Sequence, residues 1–308
     1  MSLRNYILYA VLRGGSWLVG RVPVRVAYAL ASATAVVAFL MARPARRGIE
    51  ANLAIAFPSV PHEVRRRIAL AAFRHNGMNW VDTLRIPALT PAEIPGSVDV
   101  DRWNLLAEAF EAGNGVILAM LHVGNYDLVG QALAARGIPL TVPVERIQPE
   151  RLYRFLAERR AAQGIHLLPV EQASRGLLGA LGRGEVIGIA ADRLASGRGV
   201  EVEFFSHRTE FARGPAALAV RSGAVLFVAV GIRQRGSAFR GFVVPVDVSR
   251  TGNNHADELA VTQRLADIAE SFVSSFPQQW LAFSPVWNGQ GTRADAPATM
   301  SQQKEAAR

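Results

Sequence analysis

The stretch GVILAMLHVGNYDLVG, residues 115–130, decides how the chain is organised. It begins with an unbroken apolar run of the length of a buried strand, and that run leads directly into His122. Gly124 and Asn125 follow, and they are typical of a tight turn and a helix N-cap. Asp127 then falls in the first turn of the expected helix. The stretch therefore predicts a strand, a turn and a helix, with His122 as the first residue past the strand.

Short β-rich runs and helix-like stretches alternate after this point. The predicted strands are residues 115–121, 138–144, 165–170, 185–191, 225–233 and 241–248. The predicted helices are residues 126–136, 149–163, 172–182 and 256–275. This alternation requires right-handed crossovers, so we predict an α/β fold with a mostly parallel central sheet flanked by helices. In such sheets, ligands bind at the carboxyl ends of the strands.

The N-terminal region differs from this core in charge. Residues 1–90 contain twelve arginines and three acidic residues, a difference that equals the net charge of +9 for the whole chain. Guanidinium groups match phosphate oxygens better than point charges do. We therefore expect an anionic membrane surface as a partner, and no nucleic acid.

The same region contains an uncharged run of 17 residues, 26–42, with arginines on both sides. A perpendicular membrane span needs about 20 residues, and charges on both flanks give no orientation. The pattern favours a helix in the headgroup region over a transmembrane helix at 26–42 or a pair of buried core helices. We expect a helical membrane-associating portion at 1–90, an α/β core at 91–290 and a polar, disordered tail at 291–308.

The residues restrict the possible chemistry. The chain has no cysteine, which excludes thiol nucleophiles and disulfides, and it has no serine elbow, phosphate loop, dinucleotide fingerprint or histidines at zinc spacing. A second histidine with an acid five residues later occurs at His166 and Glu171. The extended residues between them would hold those side chains up to about 16 Å apart. The pair that remains is His122 and Asp127.

A turn between His122 and Asp127 would let the carboxylate accept a hydrogen bond from one imidazole nitrogen and leave the other nitrogen free as a base. A histidine–aspartate pair without its own nucleophile suits the deprotonation of an external hydroxyl. That hydroxyl would then attack an activated acyl group such as a thioester.

The segment LHVGNYD, residues 121–127, resembles the histidine–acid motif of the glycerolipid and lysophospholipid acyltransferases. It is more similar to the bacterial lipid A acyltransferase branch, which includes phosphatidylinositol mannoside acyltransferases. Three further blocks resemble that branch, in the same order: RRGIEANLAIAFPSVP at 46–61, AADRLASGRGVEVEFF at 190–205 and PQQWLAFSPVW at 277–287.

The resemblance implies a general base at His122 and an orienting acid at Asp127. It also implies that Glu145 and Arg160 are a polar pair near the active site. From the sequence pattern alone, Glu145 ends a predicted strand, and Arg160 would belong to a solvated helix face.

The third block of the resemblance opens with Asp192, which is implied as a site residue. Glu201 or Glu203 is implied as a further site glutamate. Both alternate with valines, a pattern typical of one face of an exposed strand.

The resemblance implies transfer of a fatty acyl chain to a hydroxyl of a membrane lipid or glycolipid. The donor would be acyl-CoA or acyl carrier protein, with no bound cofactor and no metal, and the protein would be peripheral or monotopic on the cytoplasmic face of the cell membrane. A membrane-bound glycolipid glycosyltransferase and a non-catalytic lipid-binding protein remain as alternatives.

Overall fold

The computed structural model describes residues 3–90, 93–146, 149–194 and 199–287. The predicted tail at 291–308 lies outside these residues. The helices are α1 (Leu3–Val19), α2 (Val24–Met41), α3 (Arg43–Ala56), α4 (His62–Arg85), α5 (Glu93–Ser97), α6 (Trp103–Glu111), α7 (Tyr126–Ala134), α8 (Glu150–Ala161), α9 (Ala173–Gly182), α10 (Gly214–Ser222) and α11 (Asn254–Ser275). The strands are β1 (Val98–Asp101), β2 (Val116–Gly124), β3 (Leu140–Val144), β4 (His166–Pro169), β5 (Val186–Ala190), β6 (Val200–Phe204), β7 (His207–Phe211), β8 (Val225–Arg233) and β9 (Phe239–Val246).

Within the described residues, seven strands form one sheet in the order β1-β9-β8-β2-β5-β3-β4. Neighbouring strands are parallel except β8 and β9, which pair antiparallel. The predicted α/β fold with a mostly parallel sheet is thereby confirmed. β6 and β7 form a separate antiparallel hairpin.

The six predicted strands and four predicted helices of the core are present, with ends shifted by a few residues. The sequence interpretation missed β1, α5, α6, α10 and β7, the partner of β6 in the hairpin. Glu201 and Glu203 lie on β6 as an exposed face, as their alternation with valines indicated.

β2 lies at the middle of the sheet and is buried on both faces. Ile117 and Leu121 belong to a core that reaches Leu53 on α3. Leu118 belongs to a second core with Leu133 on α7. Because both faces are covered, an unbroken apolar run rather than an alternating one forms this strand.

The N-terminal helices pack around α4. α2 lies along α4 closely enough that a Cβ at Gly77 would be 3.0 Å from the carbonyl oxygen of Ala31. α2 is long and apolar enough to cross a membrane, but only 22% of it is buried. Its outer side carries a stripe of exposed apolar residues at helical spacing: Val26, Leu30, Val37, Leu40 and Met41.

The C-terminal segment after α11 returns to α3. Asn52 Nδ2 donates to the carbonyl oxygens of Ala282 and Ser284 at 2.9 and 2.8 Å, and its Oδ1 accepts from Val286 N at 2.9 Å. A Cβ at Gly48 would be 2.3 Å from a backbone oxygen of this segment. Two of the family-like blocks, far apart in sequence, therefore contact each other.

Candidate active site

His122 lies inside β2, not after it. The predicted strand ends before His122, whereas β2 includes it and continues to Gly124. Leu281 N donates to His122 O at 2.8 Å, and Trp280 pairs with the residue after His122. The extension of the strand thus comes from the C-terminal segment, which a local sequence pattern does not reveal.

The turn after β2 is built as the sequence predicted. Gly124 has φ +73°, and a Cβ there would be 1.9 Å from the carbonyl oxygen of Gly231, so only glycine fits. Asn125 caps α7, since its Oδ1 accepts from Leu128 N at 3.2 Å. Asp127 lies in the first turn of α7.

The carboxylate that contacts His122 is Asp192, just after β5. His122 Nδ1 lies 2.7 Å from Asp192 Oδ1, and the backbone N of His122 donates to Asp192 Oδ2 at 2.7 Å. The prediction that Asp127 accepts a hydrogen bond from the imidazole is wrong. β5 pairs with β2 in parallel, and this pairing brings Asp192 to the carboxyl end of β2 beside the ring.

The contact with Asp192 fixes the role of each ring nitrogen. When Nδ1–H donates to Asp192, Nε2 carries the lone pair and is the available base. Burial lowers the pKa of the His122 imidazole, but the charge and hydrogen bond of Asp192 outweigh burial, so the net pKa is raised. The charge of Asp127 raises this pKa to a smaller extent, whereas Arg193 lowers it.

Asp127 forms a bidentate ion pair with Arg160 on α8. Arg160 Nε donates to Asp127 Oδ1 at 3.0 Å and NH2 donates to Oδ2 at 3.1 Å. The negative charge of Asp127 raises the pKa of Arg160 well above its ordinary value. Gln131 Nε2 donates to the carbonyl oxygen of Arg160 at 2.6 Å, which joins α7 to α8. Both carboxylate oxygens of Asp127 therefore accept hydrogen bonds from Arg160, whereas the imidazole Nδ1 contacts Asp192.

An apolar cavity of about 240 Å³ begins at His122 and lies between the sheet and helices α7 and α8. Its polar end carries Asp127, Glu145, Arg160 and Arg193. Its apolar walls come from strands and helices: Met120, Gly130, Leu140, Val142, Leu156, Ile165 and Leu167. Glu145 is exposed just after β3, as predicted from its place at a strand end. Arg160 and Glu145 share this cavity, but the guanidinium of Arg160 donates its hydrogen bonds to Asp127.

A polar cleft of about 670 Å³ lies on the other side of His122. Asp192, Glu201, Arg208 and Glu210 contribute charged groups to it. Glu201 accepts from Arg208 at 3.0 Å across the hairpin. Glu203, the alternative to Glu201, lies instead in an outer groove beside α11. His122 and Arg193 line both the apolar cavity and the polar cleft.

A family model described as bacterial lipid A biosynthesis acyltransferase matches residues 1–288. The chain belongs to that acyltransferase family. A phosphatidylinositol mannoside acyltransferase of Mycolicibacterium smegmatis is 32% identical over 240 residues, which cover 77% of each chain. Another, from Mycobacterium tuberculosis, is 31% identical over 243 residues, which cover 77% of this chain and 75% of the relative. The resemblance inferred from four sequence blocks is confirmed, and the protein is an acyltransferase.

The acyltransferase also contains a buried polar network beneath the turn that follows β2, which the sequence interpretation missed. Asp82 on α4 accepts from Asn125 Nδ2 at 3.0 Å and from Tyr28 and Arg233. Arg233 donates to Asn79 Oδ1 at 2.8 Å, and Asn79 Nδ2 donates to the carbonyl oxygen of the turn glycine at 2.7 Å. The network connects α2 and α4 to the turn that follows His122.

Arg193 is a further residue that the sequence interpretation missed. It follows Asp192 directly in the third family-like block, and that position was the one available signal. It lines both pockets together with His122, and its positive charge lowers the pKa of the imidazole. A positive charge on the walls of both pockets can stabilise a developing oxyanion beside the base.

Proposed function

We propose that the protein transfers a fatty acyl chain from an acyl thioester, acyl-CoA or acyl carrier protein, to a hydroxyl of a membrane glycolipid similar to a phosphatidylinositol mannoside. The observation that carries this proposal is the position of His122. Its ring lies between an apolar cavity and a polar cleft, with Nδ1 on Asp192. The names of the relatives support the acceptor class.

In the proposed reaction, Nε2 of His122 removes the proton from the acceptor hydroxyl as its oxygen attacks the thioester carbon. Asp192 accepts the Nδ1–H bond and stabilises the imidazolium that forms. Arg193 is directed at the oxyanion of the tetrahedral intermediate. When the C–S bond breaks, the imidazolium returns its proton to the departing thiolate, so the base is restored. A positioned base contributes on the order of 10²–10⁴ in rate.

The apolar cavity suits the acyl chain. Residues of β3 from Leu140 to Val144 line it, and so does Glu145, which follows the strand. Five residues of strand correspond to about 16 Å, close to half of the roughly 30 Å hydrocarbon core of a bilayer. An acyl chain bound along β3 would therefore have about the length of one membrane leaflet.

The polar cleft suits the headgroup of the acceptor. Carboxylates such as Glu201 and Glu210 accept hydrogen bonds from sugar hydroxyls, and Arg208 donates to hydroxyl or phosphate oxygens. Aromatic rings, including Phe204 and Trp280, line the same cleft and offer apolar faces to a sugar. Because His122 forms part of the wall, a hydroxyl bound there lies next to the base.

We further propose that the protein lies on the cytoplasmic face of the membrane as a peripheral or monotopic protein. α2 packs along α4 on one side, with Tyr28 and Phe39 buried, and exposes its apolar stripe on the other. A helix that lies in the headgroup region has this arrangement, since only its outer face needs lipid. A spanning helix would expose apolar residues on all sides that other protein segments do not cover.

The test uses purified full-length protein with acyl-CoA and vesicles that carry a mannosylated phosphatidylinositol. Free thiol is recorded with a thiol reagent, for which a chain without cysteine gives no background. Mass spectrometry measures the acylated lipid. We expect wild type to form both products together and the His122→Gln variant to lose at least roughly a hundredfold in rate.

The matched control is His166→Gln, which changes an exposed histidine that also has an acid five residues later. It should retain the wild-type rate. Full activity in His122→Gln with a normal thermal transition would contradict the mechanism. Consumption of a sugar nucleotide instead of the thioester would indicate a glycosyltransferase. Lipid binding without either reaction would indicate a binding protein.

A further inference from the structure

A basic groove of about 600 Å³ lies between α1, the C-terminal end of α4 and α8, outside the catalytic pockets. Arg13, Arg21 and Arg159 contribute guanidinium groups to it, and Trp17 contributes an indole ring. The sequence interpretation counted Arg13 and Arg21 only in the overall basic charge of residues 1–90, and it assigned no role to Trp17 or Arg159. We call this feature the three-arginine groove.

The positive charges of the three-arginine groove are not neutralised. Arg13 donates to a tyrosine hydroxyl at 3.2 Å, Arg21 to the carbonyl oxygen of Trp17 at 3.0 Å, and Arg159 to Ser16 Oγ at 3.3 and 3.1 Å. All three partners are neutral. Across the described part of the chain, none of the three arginines forms an ion pair with a carboxylate. Glu158 influences Arg159 only through space.

Arg13 and Arg159 carry like charges that act on each other in the groove. Burial lowers the pKa of Arg159, and the charge of Arg13 lowers it further. Guanidinium groups gathered without an acid are stabilised by a bound anion, and a phosphate oxygen set matches their geometry. The groove therefore has the charge and the donors for a phosphate.

The surroundings of the groove indicate where the phosphate comes from. Trp17 is 60% exposed and Leu18 45% exposed, at the end of α1. The guanidinium of Arg21 stacks over the Trp17 ring at 4.2 Å. Tryptophan rings are enriched at the headgroup level of membranes. The exposed stripe of α2 begins at Val26, a short turn later. A free phosphate ion would make no contact with these apolar side chains, whereas the acyl chains of a membrane lipid would contact them.

We propose that the three-arginine groove binds the phosphate of an anionic phospholipid headgroup and thereby holds the protein on the membrane beside its catalytic cavity. The proposal relies on the membrane association proposed above. α8 is shared by the two sites, because Arg160 lines the cavity and Arg159 lines the groove. A lipid bound in the groove therefore contacts the same helix that forms a wall of the cavity.

The test is sedimentation of the full-length protein with phosphatidylcholine vesicles that contain or lack phosphatidylglycerol. The triple variant R13Q/R21Q/R159Q should lose roughly a hundredfold in partition onto the anionic vesicles, since each basic residue at a membrane surface contributes about fivefold. The double variant R13Q/R21Q keeps the contact of Arg159 with Ser16, and it should lose roughly twentyfold.

The matched control is R102Q/R175Q/R235Q, which removes the same charge from exposed arginines outside the groove. Its partition onto the anionic vesicles should fall only a few-fold. Equal losses in the two triple variants would overturn the proposal, because they would show attraction by net charge alone. Binding of inorganic phosphate that depends on the groove, with no gain from phosphatidylglycerol, would also overturn it.

The vesicle-binding test is independent of the test of acyl transfer. Vesicle binding is measured without an acyl donor, and acyl transfer to a detergent-solubilised acceptor is measured in the same variants. We expect the groove variants to keep their turnover in detergent while they lose partition. A protein that binds vesicles through the groove but transfers no acyl chain would contradict only the proposed function.

Discussion

Two carboxylates lie on opposite sides of His122, one beside β5 and one on α7, and they bind different partners. On the β5 side, Asp192 contacts the imidazole and the backbone of His122 with both oxygens. On the α7–α8 side, Asp127 binds Arg160 with both oxygens. Asp127 is five residues from His122 in sequence and Asp192 is 70. Parallel pairing of β5 with β2, rather than proximity along the chain, determines which acid contacts the imidazole.

The largest effect expected from this comparison is that of Asp192→Asn. The amide cannot stabilise the imidazolium and permits the wrong ring tautomer, so turnover should fall by roughly 10²–10⁴. Rates of acyl transfer at saturating donor measure the loss. Asp101→Asn, a change of an aspartate on the edge strand β1, is the control and should leave the rate unchanged. A wild-type rate for Asp192→Asn would remove its assigned role.

A smaller effect on turnover is expected for Asp127, on the α7–α8 side of His122. Asp127→Asn breaks the ion pair with Arg160 and leaves its guanidinium without a counter-charge at the cavity mouth, so turnover should fall by about tenfold through altered positioning. Arg160→Gln should cost a similar factor. Because the two side chains act as a pair, the double variant should be less impaired than the product of the single losses.

If the loss of turnover in the double variant equals the product of the two single losses, Asp127 acts on the reaction without Arg160. If Asp127→Asn loses as much turnover as Asp192→Asn, both carboxylates orient the imidazole.

The smallest effect on rate is expected from Gly130, at the apolar end of the cavity. A Cβ at this position would be 3.3 Å from Leu140 and 3.5 Å from Ile165, so larger side chains enter the space assigned to the acyl chain. Gly130→Leu should shift the preference towards shorter donors by about tenfold or more, with little change for the shortest. Competition between donors of different length measures this. Gly182→Leu, where no atoms are nearby, is the control.

The sequence predicted much of this fold for reasons that are local. The apolar run of β2 is buried on both faces, Gly124 is required by its φ, and Asn125 caps α7. It did not predict the extension of β2 through His122, because the pairing partner is Leu281. The alternation around Glu201 and Glu203 indicated β6, but β7 and the hairpin were missed, since a separate hairpin lacks the alternation of strands with helices.

The site was predictable only in part, because local sequence patterns do not reveal long-range contacts. His122 was identified because it follows directly on an apolar run at the expected end of a strand. Asp192 was suggested by a family-like block and not by a local pattern, since its contact with His122 depends on strand order. The buried pair of Asp82 and Arg233 gives no signal, because charged residues on a helix and a strand end ordinarily face solvent.

The pH dependence of kcat/KM for acyl transfer tests the central claim most directly. A general base must be unprotonated, so the rate falls as the pH falls through the pKa of His122. Asp192 raises this pKa against the effect of burial, so the acid limb of wild type should lie above the ordinary value for histidine, about 6.5. In Asp192→Asn that limb should move to lower pH, and in Asp127→Asn it should move only slightly. An acid limb that stays in place in Asp192→Asn and shifts in Asp127→Asn would contradict the account.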